Sequence, residues 1–590
     1  MTNSFKGRKW HLTTSETSAS DALIAGGMSD LEAQIMAGRG LDAKEMADFL
    51  DPKLKNFLPN PAFFKDMDIA ADRLLNAILE GEKIAIWSDY DVDGATSAAI
   101  LGRFLREAGT DFVLHIPDRI TEGYGPNAEG LAKMAEDGVE LVCVLDAGTT
   151  AFEPLEAAEE LGLDVIVVDH HMAEETLPPA VAVVNPNRLD QEEGYGHVCA
   201  AGMTFMFAVA VNLRLRQNGR PGINLMPLVG IVALGTICDV VALTGINRAF
   251  VARGLPILSE REFPGVAALA DAAGIDDDIS VSHCGFGLGP RINAGGRIGD
   301  STLGARLLLT ESSSEAEGIA SHLDALNKER QEMEKEATKN ALEQLEGKLT
   351  SGTSREIAIA VVEAHEGIIG ISAARVKEAF DTPSIVLAPG DGGLLKGSGR
   401  SVPGFDLGAA VVAARQEGIL VKGGGHGMAA GLSLHPDNLD TFTDFMNARI
   451  RESEYAQTGV VLKADAEITA GVLQVEIVEE LERLGPFGMG NPTPKVVLKG
   501  VRVCEVRVLK EKHLKMRLQD PSGKGPRLDA PLWNSVGTPF GTQIENIDGK
   551  IVDVFCAMEI NEWNGRRSVQ LKVEDVRLNV DVEEDDVVPF

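Results

Sequence analysis

Asp89, Asp91 and Asp93 alternate in the stretch Ser88-Asp89-Tyr90-Asp91-Val92-Asp93-Gly94, directly after the apolar run KIAIW. In an extended chain, residues two apart face the same way, so these three carboxylates would point together. A helix is expected to start at about Ala95. Two unit charges about 4 Å apart repel by about 4 kcal/mol at an effective dielectric near 20. Crowded carboxylates therefore need compensation, and a divalent cation supplies it. A solvated acidic turn would also accommodate the triplet, so the triplet alone leaves both readings open.

The arrangement recurs. A second apolar run ends Leu145-Asp146-Ala147-Gly148, and a third ends Val168-Asp169-His170-His171. Further on, Gly235-Thr236-Ile237-Cys238-Asp239 places another carboxylate after an apolar stretch. In an open parallel sheet, the carboxyl ends of neighbouring strands line one crevice, the usual ligand site. Several aspartates with one or two histidines form a hard, oxygen-rich donor set. Such a set suits manganese or magnesium better than structural zinc. For the four motifs together, a metal centre is the better reading than four separate buried hydrogen bonds.

Short apolar runs (KIAIWS, ELVCVLD, LDVIVVD, AVAVVN) alternate from residue 82 with helical segments such as ATSAAILGRFLREAG and AAGMTFMFAVAVNLRLRQ. That rhythm predicts βαβ units and a mainly parallel sheet. Residues 1–80 read as helical and polar-loop sequence. Residues 312–347 are highly charged, lack proline and begin with serines, which predicts one long connecting helix. A second, smaller α/β segment follows, Gly-rich where it turns (LLKGSGRSVPGF, VKGGGHGMAAG). From about 460 to 580, five or so β-rich runs separated by Gly, Pro and Asn suit a small barrel of the OB type, though other small β folds would fit. The expected domains are therefore 1–80, a helical segment packing on the core; 81–311, the parallel-sheet domain; 312–350, the helix; 351–455, the second α/β domain; 456–580, the OB-like domain; and 581–590, an acidic tail.

Composition narrows the class. The 590 residues suggest several folding units. No apolar run reaches the roughly 20 residues of a membrane span, and the first twenty residues lack the apolar segment of a signal peptide. The six cysteines are spread singly, which fits a reducing cytosol and argues against a disulfide scaffold. The net charge of −34 argues, taken whole, against a polyanionic partner. Residues 495–579 are the exception, with 15 basic against 11 acidic residues.

Asp-His-His after a strand, with DYDVDG upstream and GTICDVVAL downstream, resembles the DHH phosphoesterase superfamily. The EGYGPN segment at 122–127, Arg291-Ile292-Asn293-Ala294-Gly295-Gly296-Arg297 and Gly424-Gly425-His426-Gly427 extend the resemblance. With the C-terminal β module they make nearly the whole chain similar to the RecJ-type single-strand-specific exonucleases of bacteria. Ala147, where Cys or Asn is commoner, and Ala242, where proline is familiar, depart from the pattern without removing a ligand-type side chain.

The resemblance implies two divalent ions, Mn2+ or Mg2+, held by Asp91, Asp93, Asp146, His170 and Asp239, with Asp146 as the bridge and Asp89 as a ligand or a group orienting one. It casts His171 as a phosphate contact or proton donor, and Asp169 as the holder of an imidazole or of the turn. Arg291 and Arg297 are expected to flank an Asn-Ala-Gly-Gly turn containing Asn293, where backbone amides and guanidinium forks suit phosphate. Arg400 with Ser398 and Ser401, and a turn of Gly424, Gly425 and His426, have the same character in the second α/β domain. Together these groups are expected to grip a 5′-terminal phosphate and its nucleotide across a cleft. In the β module, Lys510, Lys512, Lys515, Arg517, Arg566 and Arg567, with Lys495, Lys499, Arg502 and Arg507, suit a single-strand groove, where phosphates are neutralised and bases stack. Trp533, with Phe555 and Trp563, would offer the aromatic faces of that groove, although Trp533 or Phe555 taken singly would suit the core of the module.

The implied activity is metal-dependent 5′–3′ hydrolysis of single-stranded DNA to nucleoside 5′-monophosphates in repair and recombination. Expected partners are single-stranded DNA, a single-strand-binding protein and a RecQ-type helicase; a cytoplasmic monomer without a membrane partner is expected. Two other readings compete. DHH phosphodiesterases of short oligoribonucleotides or cyclic dinucleotides are generally shorter and lack the β module. An inactive DHH scaffold of a replication complex would typically have lost ligand carboxylates.

Overall fold

The computed structural model describes residues 4–118, 121–349, 356–563 and 565–579. They form two compact units: Ala47–Arg330 with Gly485–Pro492, and the remainder.

In the first unit five strands pair in parallel: β1 (Ile84–Ser88), β2 (Phe112–His115), β3 (Leu141–Leu145), β4 (Asp164–Val168) and β5 (Ala182–Val184), in the order β2-β1-β3-β4-β5. Their runs of Val, Ile and Leu suit a sheet covered on both faces. Alternate side chains accordingly enter two different cores. Ile84, Ile86, Leu141, Cys143, Leu145, Ile166 and Val168 pack on one side, and Ala85, Trp87, Val142, Val144, Val165 and Val167 on the other. The strand order reverses at β1, which opens a crevice at the carboxyl ends of β1 and β3. Four further helices matter to the site: α1 (Val92–Glu107), α2 (Ala200–Gln217), α3 (Leu228–Cys238) and α4 (Gly289–Ile298).

The charged 312–347 stretch is one helix, α5 (Ser313–Leu345). Its first half buries Ala316, Ile319, Ala320 and Leu323 in the first unit's core. Its second half buries Ala337, Ala341 and Leu345 in a core of the second unit.

The second unit holds a mixed sheet of β6 (Ala358–Val361), β7 (Ser384–Pro389), β8 (Leu395–Arg400), β9 (Lys422–His426) and β10 (Ala429–Leu434), in the order β9-β10-β8-β7-β6. Helix α6 (Glu366–Phe380) joins β6 to β7, the one parallel pair of that sheet among the described residues. After β11 (Val461–Ala464) and β12 (Ala466–Thr469) come β13 (Val496–Leu509), β14 (His513–Gln519), β15 (Leu528–Leu532), β16 (Ile551–Trp563) and β17 (Arg566–Leu578). The order β12-β13-β14-β15-β17-β16, with β13 also pairing β16, closes the five strands β13–β17 into an OB-type barrel. β12 adds a sixth strand parallel to β13.

Residues 1–80 do not form the single helical segment expected. Lys9–Leu12 is a strand, paired in parallel with β11. Trp10 packs at a tilt against Phe555 with ring centroids 5.6 Å apart, its Nε1 donates to Asp575 (3.2 Å), and Arg8 forks onto Asp381 (2.6 Å). The residues up to Met46 thus belong to the second unit and those from Ala47 to the first. The pairing partner lies some 450 positions away, out of reach of any local pattern. No helix among the described residues is long and apolar enough to cross a membrane. The acidic tail lies outside the described residues.

Candidate metal centre

Strand register builds the site. Ser88 pairs with Leu145, Leu145 with Val168, and Val168 with Val184. The next residue of each strand, Asp89, Asp146, Asp169 and Asn185, therefore stands in one row across the sheet. Asp146 holds φ +58° at the turn, and Tyr124 donates from its hydroxyl to the Asp146 carbonyl (3.1 Å).

The Asp89-Asp91-Asp93 triplet does not stay extended. The helix begins at Val92, three residues earlier than expected, and Asp91 is its N-cap, accepting from the amides of Asp93 (2.9 Å) and Gly94 (3.1 Å). Capping by a carboxylate satisfies amides that a helix start leaves without partners, so the cap outcompetes extension. A Cβ on Gly94 would stand 2.3 Å from the Asp89 carbonyl oxygen, so the tight turn requires glycine. Asp93 consequently points elsewhere, accepting from the amides of Ala200 (2.7 Å) and Ala201 (2.9 Å) at the start of α2. Asp239 follows helix α3, not a strand, as its C-cap.

The donor atoms nevertheless converge, in three groups whose members lie within 4.8 Å of one another: Asp89, Asp91 and Asp146; Asp93, His170 and Asp239; and Asp146, His170 and His171. His170 Nε2 stands 3.4 Å from Asp146, 3.7 Å from Asp93 and 3.8 Å from Asp239. Asp146 belongs to two of the groups, as a bridging ligand would. Burial raises the Asp146 and Asp93 carboxyls above their usual range, and neighbouring carboxylates push Asp146 further. Burial, then Asp93 and Asp91, carry Asp239 up to about 8. Asp239 Oδ2 is buried and accepts no hydrogen bond among the described residues. Buried, mutually repelling carboxylates with an oxygen left over are what a divalent cation neutralises.

His171 is held differently. Its Nδ1 stands 2.7 Å from Asp169 Oδ1, and Tyr124 Oη is 3.3 Å from its Nε2. Burial opposes its charge, but the Asp169 hydrogen bond and the negative charges of Asp169, Asp239 and Asp89 together outweigh burial and carry His171 to about 9. Asp169 falls well below the carboxylate range through the same contact and the amide of Thr149, against its burial. Asp169 also accepts from the amides of His170 and His171, and so fixes the turn. Asn185 ties Thr149 (2.7 Å) to the His171 carbonyl (2.8 Å), and Asn187 donates to the His170 carbonyl. Asn185, Asn187 and the role of Tyr124 are not apparent from the motifs; a polar Asn-Pro-Asn at the end of an apolar strand is the signal that points to the first two.

Arg291, Asn293 and Arg297 lie on helix α4, not around a turn. Arg291 is neutralised by Asp324 (2.9 Å) and donates to the Gly287 carbonyl. In the second unit, Gly424, Gly425 and His426 belong to strand β9 and its hairpin with β10, not to a loop. A Cβ on Gly425, at φ +151°, would stand 2.3 Å from the Ala429 carbonyl oxygen, so close strand approach fixes the glycine. Arg400 donates to Ser398 Oγ (3.2 Å) and the Gly399 carbonyl (2.8 Å), and burial lowers its pKa. Ser401 turns inward to the Phe405 carbonyl (2.7 Å).

The barrel's basic residues divide. Lys515 and Arg517 pair with Asp529, Arg567 with Glu479, Lys495 with Glu574, and Arg507 with Glu505. Among the described residues no ion pair engages Lys510, Lys512 or Arg566. Phe555 is core, whereas Trp533, named for the groove, is 63% exposed and stands edge-on to His513 at 5.0 Å.

The sequence matches three family models: the DHH family N-terminal domain over residues 83–236, the DHHA1 domain over 354–452 and the RecJ OB domain over 464–575. It is 35% identical over 577 residues to the single-stranded-DNA-specific exonuclease RecJ of Dickeya dadantii, covering 95% of this chain and 97% of that one. The fold is similar to the crystal structure of RecJ from Thermus thermophilus in complex with Mn2+ (TM-score 0.80, 28% identity, 97% of this chain and 80% of that one). The same protein in complex with Mg2+ aligns with a TM-score of 0.73 and 26% identity, over 97% of this chain and 78% of that one.

Proposed function

The chain belongs to the RecJ family of single-stranded-DNA-specific exonucleases, and from that premise we propose that it removes nucleotides from the 5′ end of single-stranded DNA in repair and recombination, releasing nucleoside 5′-monophosphates. The observation that carries this reading is the convergence of Asp89, Asp91, Asp93, Asp146, His170 and Asp239 into adjoining donor groups.

Two divalent cations, Mn2+ or Mg2+, supply acidified water and neutralise charge on the phosphodiester when bound. We assign Asp91, Asp93, Asp146, His170 and Asp239 to hold them, with Asp89 beside Asp91 and Asp146. Asp169 keeps His171 protonated at neutral pH. His171 therefore suits donation of a proton to the 3′-oxygen released when the P–O3′ bond breaks, or a contact to the phosphate itself. Tyr124, against the His171 ring, orients it.

Arg400 and Ser398 are assigned to the 5′-phosphate. Arg400 is a half-buried guanidinium without a carboxylate partner among the described residues, and Gly370 on α6 abuts it: a Cβ there would stand 3.1 Å from Arg400 Nη2. Gly424, Gly425 and His426 are assigned to the nucleotide. Arg297 and Asn293 stay candidates for substrate contact, while the Asp324 pairing makes Arg291 the weakest of that set. Lys510, Lys512, Arg566 and Trp533 are assigned to the strand. Cytoplasmic location, a monomeric state and partnership with a single-strand-binding protein or a RecQ-type helicase belong to the same proposal. The full complement of ligand-type side chains disfavours an inactive scaffold, and the barrel disfavours an enzyme of dinucleotides.

Incubation with Mn2+ and labelled single strands blocked at one end or the other tests the reading. Mononucleotides should appear only when the 5′ end is open. Release from 5′-blocked strands, or binding without release, would refute it.

A further inference from the structure

Beside the metal centre, on the far side of Asp239, the first unit holds an apolar cavity of about 320 Å³. Its wall runs directly out of the centre. Ile237 and Cys238 line it, Asp239 turns to the donor groups, and Val240 lines it again. Helix α4 makes the same connection: Gly289, Pro290 and Asn293 face the cavity, while Gly296, one turn on, packs against the Tyr90 backbone between Asp89 and Asp91.

Three features at the rim are unusual for a surface with only a structural duty. Phe286 is 84% exposed, Val240 61% and Met489 58%. Large apolar groups clustered in the open mark binding surfaces, whereas single ones do not. Val240 holds φ +60°, a backbone conformation that β-branched residues scarcely adopt. Such strain persists where surroundings enforce it, and it gathers at ligand clamps. Phe286 projects from a π-helical turn, His283–Leu288, a distortion frequent at functional sites. Met489 arrives from the Gly485–Pro492 segment, which is pinned to this unit by the Leu243 amide donating to the Met489 carbonyl (2.7 Å) and by Arg248 donating to the Gly485 carbonyl.

The lining tells the occupant. No charged side chain lines the cavity among the described residues, so it does not suit phosphate. One amide, Asn293, offers a donor and an acceptor. An aromatic face with flanking aliphatic groups and one amide suits a flat heterocycle with polar edges. We infer that this cavity receives the base of a nucleotide flanking the scissile phosphate, with Phe286 as the stacking platform. The inference deepens the nuclease reading and rests on it for the identity of the strand.

The test uses the full chain with Mn2+ and 5′-phosphorylated oligonucleotides. Either nucleotide flanking the scissile phosphate is ordinary or is replaced by an abasic tetrahydrofuran. Phe286→Ala should raise KM on ordinary strands roughly 5- to 100-fold, the range of one lost stacking contact, with kcat little changed. The difference from wild type should vanish at one of the two abasic positions, and Phe286→Tyr should restore the ordinary KM. Unchanged KM in Phe286→Ala, or an equal loss on ordinary and abasic strands, would overturn the inference. Binding of the same strands followed by fluorescence anisotropy in Ca2+ separates this from the nuclease reading. A wild type that releases nothing, yet distinguishes ordinary from abasic strands through Phe286, refutes the nuclease and retains the base site. Indifference to the base in both measurements refutes the base site alone.

Discussion

Asp169 is a member of none of the donor groups, yet it fixes both histidines: it accepts from their amides and holds His171 by its ring. Asp169→Asn should leave Mn2+ affinity nearly intact and lower kcat by roughly 10- to 100-fold, the usual cost of losing a group that orients a metal-site side chain. It should also shift the pH profile. The carboxylate raises His171 to about 9, so its removal returns the imidazole towards the ordinary 6.5. If His171 donates a proton, the alkaline limb of the rate must then move to lower pH. An unmoved limb would assign His171 to phosphate contact instead. Residue types in the first α/β unit were well legible in the sequence, because carboxylates at strand ends need no three-dimensional knowledge to be suspicious. Which carboxylates group together was not legible. Asp91 caps a helix, and this local competition turns Asp93 away from Asp89 towards Asp239.

At the scale of elements, the turn between β1 and α1 has no slack. Gly94→Ala puts a methyl group 2.3 Å from the Asp89 carbonyl, and the backbone must move to relieve it. Such overpacking should cost about 1–3 kcal/mol, read as a lower Tm, together with weakened Mn2+ binding because Asp89 and Asp91 bracket the shift. Mn2+ binding equal to wild type would show that the turn does not set the donor geometry. Strands and the long helix were readable from periodicity, since buried β-branched runs and charged helical stretches announce themselves locally. Where propensity misled, a neighbour decided: NAGG became helix under α4's own hydrogen bonds, GGGHG became strand through pairing with β10, and Lys9–Leu12 became strand through a partner far along the chain. The barrel's charges carry the same lesson. Lys515 and Arg517 look as available as Lys510 and Lys512 until Asp529 is found between them. The logarithm of affinity for single strands should fall with the logarithm of salt by about 0.7 per phosphate neutralised. Lys510→Ala or Lys512→Ala should each flatten that slope by roughly 0.7, while Lys515→Ala should leave it nearly unchanged. Equal slopes in all three variants would contradict the assignment.

For the whole molecule, the acid-rich centre ties stability to the cation. In chelator-stripped protein, Asp239 keeps its proton up to about pH 8, far above the ordinary 3.8. Between those values the folded state binds more protons than the unfolded, so stability falls as pH rises. His171 acts in the same direction: its raised pKa contributes stability that is complete below 6.5 and is lost as pH climbs through about 9. The Tm of the stripped protein should therefore decline from about pH 5 to about pH 9. Added Mn2+ should raise it more at about pH 8 than at about pH 5, because binding only the folded state stabilises it. A Tm that rises over this range would contradict the placement of these carboxylates.

Counting bound manganese tests convergence most directly. Chelator-stripped wild type, titrated with Mn2+, should take up about two ions per chain. Asp146→Ala, which removes a side chain shared by two donor groups, should retain its fold but hold one ion or none. Two ions held undiminished in Asp146→Ala, or none in the wild type, would contradict the account.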